Sequence, residues 1–231
     1  MTMTAVMRCS HRPAVAGEER AGRYDPPMPA NRAGRPTEKS ALTRIRILDS
    51  AARVFSERGY AATRLEDIAT AAGIKTGSLY YYFASKDELV AEMLRVGVQE
   101  TEKHVRSAVR ALGKDAGGRD RLQAAILAHA EAVIEAIDYT AANARIVGQL
   151  PEEVRRVHYD DQRTYGDYWA KLLRDARASG EIRRDVDLLT LRFLLFGALN
   201  STIEWPARVK RSPEELASQV ASIFFEGVAP R

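Results

Sequence analysis

The stretch Gly73–Leu89, GIKTGSLYYYFASKDEL, sets three tyrosines in a row beside a Gly-Ser step and just ahead of a lysine. Successive side chains on a helix point about 100° apart, so three neighbours cannot all enter one core. With Leu79 and Phe83 taken as the buried face, Tyr81 falls opposite, Gly77 and Ser78 lie toward the outer side, and Tyr80 and Tyr82 flank the core edge. An ordinary solvated face would carry Lys and Glu. This one offers glycine for close backbone approach, hydroxyls that bond phosphates or base edges, and tyrosine rings that pack. A short helix of this kind, held across a turn by a partner helix, is a helix-turn-helix pattern and implies a phosphate-lined groove as its counterpart.

Upstream, SALTRIRILDSAARVFSERGY repeats apolar residues at Ile45, Leu48, Ala52 and Phe55, which predicts a first helix closed by Gly59. TRLEDIATAAG follows, with Thr63 and Glu66 spaced as a capping box, Ile68, Ala69 and Ala72 as a small buried face, and Gly73 as the stop. Downstream, Ser85 and Glu88 form a second box that opens a long helix from about Lys86 to Leu112. Beyond the glycine-rich break LGKDAGGRD, the periodicity predicts helices near 119–138, 140–149, 152–179, 187–204 and 213–227. Pro151 and Gly180 mark ends, and Ser212, Pro213 and Glu215 mark a start. No stretch alternates as a strand would. The expected fold is all-α, with a three-helix helix-turn-helix unit over 39–86 and a larger helical body over 87–231.

Residues 1–38 collect proline and scattered arginines (YDPPMPANRAGRP) with almost no periodic apolar residues, and are expected to be a disordered tail. Met28 leaves open a later start, and the NRAGRP arginines could either track a groove or serve a solvated linker. The chain has 231 residues, 45% hydrophobic and 29% charged, which is enough to bury a sizeable core. Its net charge of +4 is compatible with nucleic acid and equally with no acidic partner at all. One cysteine, Cys9, allows no intrachain disulfide and no thiolate cluster. The opening residues lack a signal-peptide core and no run is apolar enough for a membrane span, so a cytoplasmic protein is expected.

The sequence FSERGYAATRLEDIATAAGIKTGSLYYYFASKDEL resembles the amino-terminal DNA-binding domain of TetR-family transcriptional repressors. The likeness rests on the Phe and Gly ending helix one, the Thr before helix two, DIA, AG, GSLY, YF and SK.EL. The resemblance implies that residues 64–83 are the helix-turn-helix, with Thr63 capping helix two near a phosphate. Thr76, Gly77 and Ser78 would face the major groove, Tyr80 and Tyr81 would bond backbone phosphates, and Lys86 would add a phosphate contact. Arg44 and Arg64 join this DNA-facing set. Lys75 stands where the family commonly has a serine cap, which adds a charge at the groove.

The resemblance further implies a homodimer on double-stranded DNA with a palindromic operator, half-sites about one helical turn or ~34–36 Å apart. Leu216, Val220 and Phe224, four residues apart, are the expected dimer face; the same residues could instead close an intramolecular core. The middle helices of such repressors usually enclose a small-molecule effector. Tyr139, Asn143, Tyr159, Arg163, Tyr165, Trp169, Phe193, Phe196 and Asn200 mix aromatics with isolated polar groups as pockets do, and plain core packing is the competing account. The carboxy-terminal half also resembles a subgroup responding to acyl-CoA thioesters, whose phosphates Arg145 or Arg163 could meet. No cofactor, metal or catalytic residue is expected. His158 and Asp161 are three apart but, with His11, His104 and His129 in other segments, read as solvated helix faces rather than a metal site. The alternative to a DNA-binding regulator is a helical ligand-binding protein without DNA-binding activity.

Overall fold

The computed structural model describes residues 38–206 and 211–228. Residues 1–37 of the expected tail, with Cys9, Met28 and the NRAGRP arginines, lie outside them, while Glu38 is helical rather than part of a tail. The described residues form helices α1 (Glu38–Ala62), α2 (Leu65–Ala71), α3 (Thr76–Tyr82), α4 (Lys86–Ala111), α5 (Gly118–Glu135), α6 (Ile137–Ile146), α7 (Glu152–Ala178), α8 (Leu188–Asn200) and α9 (Pro213–Val228). Short 3-10 turns at Val147–Gln149 and Ser201–Glu204 extend α6 and α8. Among these residues there is no strand, as the sequence period requires.

Two apolar clusters organise the chain. The head cluster joins Ile47, Leu48, Ala51, Ala52 and Phe55 of α1 to Ile68 of α2, Leu79 of α3, Phe83 and the first turns of α4, and it also takes in Ala142, Ile146 and Leu150. The body cluster gathers Val105 and Val109 from the far end of α4 with residues of α5, α7, α8 and α9, around Trp169. Helix α4 therefore runs through both, and α6 makes the broadest contact of the body with α1.

Several boundaries hold and several move. Gly59 ends the regular part of α1 with φ 78°, the left-handed region that glycine enters without steric cost. Ser212 Oγ accepts from the Glu215 amide at 3.2 Å while Glu215 accepts from the Ser212 amide at 3.3 Å, the expected box. Ile45 is not buried: it is 54% exposed, with Leu42, because the buried stripe of α1 begins only at Ile47. The break between α5 and α6 falls at Ala136 (φ −97°, ψ 42°), earlier than the sequence indicates, since no glycine or proline marks it.

Candidate nucleic-acid interface and the body behind it

Helix α3 is presented as the sequence indicates. Leu79 and Phe83 are buried, while Tyr80 is 51% and Tyr81 74% exposed and Tyr82 packs at the cluster edge. Thr76, Gly77 and Ser78 continue the same outer surface, with Gly77 and Ser78 exposed. A Cβ built on Gly77 would meet nothing within 4 Å, and its φ is not left-handed. Nothing inside the protein asks for glycine there. Lys75 precedes the helix in extended conformation without a side-chain cap, exposed beside this face.

The polar residues around α3 have another occupation. Arg44 donates through Nε to Glu92 Oε1 at 2.8 Å, pairs a second time with Glu92 through Nη2, donates to the Tyr82 carbonyl at 3.0 Å, and lies over the Phe83 ring at 4.4 Å. It thus ties α1 to the end of α3 and to α4. Lys86 donates to the carbonyls of Tyr60 at 2.9 Å and Thr63 at 3.1 Å and sits 4.1 Å over the Tyr60 ring. The Tyr60 hydroxyl donates to Asp87, and burial together with that carboxylate pushes the phenol well above its usual range. Arg44 and Lys86, both expected to meet DNA, also bond within the protein, Arg44 to the Glu92 carboxylate and Lys86 to two carbonyls, and these charge-assisted bonds help hold the helices in register.

Thr63 requires a correction. It is 1% exposed, and its hydroxyl donates to the Gly59 carbonyl at 2.7 Å instead of capping α2. The helix begins one residue later, with Arg64 as N-cap, and Asp67 rather than Glu66 closes the turn by accepting from the Arg64 amide at 2.9 Å. That backbone hydrogen bond first, and Arg58 beside it, hold the Asp67 carboxyl below the ordinary range. The reason is local: the chain leaves Gly59 in a tight turn that directs Thr63 inward. Arg64 and Lys75 remain exposed on the side of α2 and α3.

The body separates the remaining candidates into three groups. Tyr165, Trp169, Phe196 and Asn200 converge on His129, which the sequence reading placed on a solvated face. His129 is 4% exposed, with Nδ1 2.8 Å from the Tyr165 hydroxyl and Nε2 3.1 Å from Asn200 Oδ1. Its ring stacks on Tyr165 and Phe196, and Trp169 meets it edge-on. Burial pushes its pKa down to about 4, so it is neutral at pH 7.

Tyr139, Asn143 and Arg145 lie instead on α6 toward the head. The Tyr139 hydroxyl donates to Asp49 at 2.8 Å, and its ring covers Gly97, where a Cβ would meet it at 3.2 Å. Four residues beyond Arg145, Gln149 Oε1 accepts from the amides of Tyr60 at 3.0 Å and Ala61 at 3.3 Å, and its Nε2 donates to the Arg145 carbonyl. Tyr159, Arg163 and Phe193 stand on outer surfaces, Arg163 paired with Asp160 at 3.1 Å.

The expected dimer face is also corrected. Leu216 and Phe224 are 4% and 8% exposed within the body cluster and Val220 packs against it, because α9 lays that stripe on α5. The apolar residues left outside are Leu189, Phe193 and Leu194 of α8 and Ile223 of α9. His158 is corrected likewise: it is 2% exposed, not solvated, and burial pushes it down to about 4. Neither of its ring nitrogens has a partner, and an unpaired buried polar group costs about 1–3 kcal/mol. Among the described residues no three His, Cys, Asp or Glu side chains group as a metal site, and no helix is long and apolar enough to cross a membrane.

This arrangement has relatives. Residues 47–93 match the family described as bacterial regulatory proteins, tetR family, and residues 115–228 match the tetracyclin repressor-like C-terminal domain. The HTH-type transcriptional repressor KstR2 of Rhodococcus jostii is 32% identical over 188 residues, 80% of this chain and 91% of the relative. This chain belongs to the TetR family. The structure of KstR2 of Mycobacterium tuberculosis, a ketosteroid transcriptional regulator, superposes on the TetR-family chain with TM-score 0.69 and 26% identity, covering 81% of this chain and 95% of that one. AibR, crystallised with isovaleryl coenzyme A and operator DNA, shares the TetR-family fold at TM-score 0.68 and 24% identity, over 79% of this chain and 98% of that one.

Proposed function

We propose that this chain is a sequence-specific DNA-binding transcriptional regulator, a repressor that a small hydrophobic molecule releases from a palindromic operator. The observation that carries the reading is the outer face of α3: exposed Tyr80 and Tyr81 beside Gly77 and Ser78, on a helix that Arg44 ties to α1 and α4 through the Tyr82 carbonyl and Glu92. A degenerate head would drift toward a charged, solvated surface, and a ligand-binding protein without DNA would have no use for this one. Thr76, Gly77 and Ser78 read the groove; Arg64, Lys75, Tyr80 and Tyr81 contact phosphates. It acts in the cytoplasm, without a cofactor and without catalysis.

Two copies pair through the exposed stripe of Leu189, Phe193, Leu194 and Ile223, which α8 and α9 leave uncovered. The effector, an acyl-CoA or another hydrophobic metabolite, enters the body around the His129 group and favours a form in which the two heads are wrongly spaced. Helix α6 is placed to carry that difference, since its Tyr139 and Gln149 bond α1 directly.

The test is selection of bound fragments from the host genome with the purified full-length protein. Recovery of a shared palindrome with half-sites spaced by about one helical turn or a multiple supports the reading. Binding without sequence preference, or none, overturns it. Leu194→Glu is expected to leave a folded monomer by sedimentation and to abolish tight binding of the two-half-site fragment; an intact dimer would remove the α8 face from the account.

A further inference from the structure

His129 and His158 are both buried in the body, and their surroundings differ. His129 has a partner on each ring nitrogen. His158 has none on either, at 2% exposure. A neutral imidazole carries one donor and one acceptor, and buried groups of that kind are nearly always paired, so the exception needs a reason.

Position along α7 supplies one. Val154, four residues earlier, packs against the head cluster, and Tyr165, seven residues later, belongs to the body cluster. These spacings put all three on one face of the helix. His158 therefore stands where the packing of the head passes into that of the body. Helix α6, the main contact with α1, presents a second unpaired atom, the buried Oδ1 of Asn143, next to Ala142 of the head cluster. Both His158, at its depressed pKa, and Asn143 are uncharged. Of the charged groups nearby, Arg95 pairs with Glu92 at 3.9 Å and Arg163 with Asp160 at 3.1 Å, while Arg155 and Asp161, three residues to either side of His158, are half-buried.

We propose that His158 is the polar contact for the buried end of the effector, and that this end is a neutral oxygen function, a hydroxyl or carbonyl on an apolar skeleton, rather than a carboxylate. The inference rests on the effector-responsive reading above. The ring N–H donates to either kind of oxygen, and a hydroxyl can return a proton to the other ring nitrogen. A carboxylate has no proton to give at neutral pH, and burying its charge against an uncharged ring costs far more than burying a hydroxyl or carbonyl. A ligand held here touches the stripe that joins head to body, so its presence is felt at both ends of α7.

The experiment uses full-length wild type and His158→Leu. Each is melted without ligand and titrated by calorimetry with 1-decanol, 2-decanone, decanoyl-CoA and decanoate, which share one chain length. Release from the genomically selected operator fragment is followed by anisotropy. His158→Leu is expected to melt higher than wild type, since an apolar group of similar size removes an unpaired one. It should bind the alcohol, ketone and thioester roughly tenfold more weakly than wild type, with decanoate weak for both. His158→Gln, which keeps a donor and an acceptor, should retain part of the affinity. A lower melting point for His158→Leu, equal affinity of the two proteins for the neutral probes, or a wild type that prefers decanoate or binds none of the four overturns the assignment. If wild type binds the neutral probes and His158→Leu loses them while operator affinity never changes, His158 stands and effector-controlled regulation falls.

Discussion

The head and the body use polar side chains in opposite ways. In the head, Arg44, Thr63 and Lys86 each find partners within the protein, and the outward face of α3 carries small and aromatic residues, flanked by exposed Arg64 and Lys75. In the body, the two buried histidines differ, His129 satisfied and His158 not, and Asn143 Oδ1, Trp169 Nε1, Glu181 Oε2 and Arg192 Nε are further buried atoms without a partner. The head is thus built to hold one geometry, and the body to leave bonds unmade. A surface that must register with a rigid duplex gains from the first; a site that must respond to a guest gains from the second.

Truncating either core should have the largest effect. Phe55→Ala in the head and Trp169→Ala in the body, both fully buried, are each expected to cost about 3–5 kcal/mol. Because α4 and α6 link the clusters, denaturant unfolding followed by circular dichroism and by tryptophan fluorescence should give one coincident transition in both variants. Two separated transitions would mean that head and body unfold independently.

Acid should act next, and through the body. His129 and His158 titrate near 4 when folded against an ordinary value of 6.5. A depressed folded pKa means that the unfolded chain takes up the proton first. Stability is therefore full above pH 6.5 and falls as pH drops toward about 4, by on the order of 3 kcal/mol for each histidine. Melting curves across that range should show the fall, and His158→Leu should flatten it. A profile unchanged by that substitution would show that His158 is not buried in the neutral form.

In the head, two substitutions sharpen the contrast between holding and touching. Lys86→Ala removes bonds to the Tyr60 and Thr63 carbonyls and should lower stability by about 1.5–3 kcal/mol, with the salt dependence of operator binding unchanged. Tyr81→Ala should leave the melting point alone and weaken operator binding roughly tenfold. If Lys86→Ala instead flattens the salt slope at full stability, the lysine belongs to the DNA and not to the fold.

How much of this was legible in the sequence follows the same divide. The helices of the head, the exposure of Tyr81 and the burial of Leu79 and Phe83 rest on contacts a few residues apart, where periodicity and caps suffice. Glu92 as the partner of Arg44 lies 48 positions away, and no local pattern announces it. Thr63 was misplaced because Thr-x-x-Glu and Arg-x-x-Asp compete within one turn, and the geometry after Gly59 decides between them. In the body, spacing of four in α9 marked an apolar stripe but not which neighbour would cover it. His129 and His158 looked like surface residues for the same reason: a polar letter on an amphipathic helix shows its burial only when the opposing helix is known.

The smallest expected effect lies where the two regions meet. Gln149 Oε1 accepts two amides at the turn that follows Gly59, and a Cβ on Gly59 would stand 3.1 Å from Oε1, close enough to press on the amide. Gln149 is exposed, so water can replace much of what Gln149→Ala removes, and stability should fall by no more than about 0.5–1.5 kcal/mol. The consequence for function should be larger than that figure implies. With the joint between α6 and α1 loosened, the head would sample more orientations, and anisotropy titrations should show weaker operator binding at an almost unchanged melting point. Tyr139→Phe, which frees Asp49 at the other end of α6, should do the same and add little to Gln149→Ala if both act through one joint. Full additivity in the double variant would mean two independent contacts, and α6 would lose its place as the path from body to head.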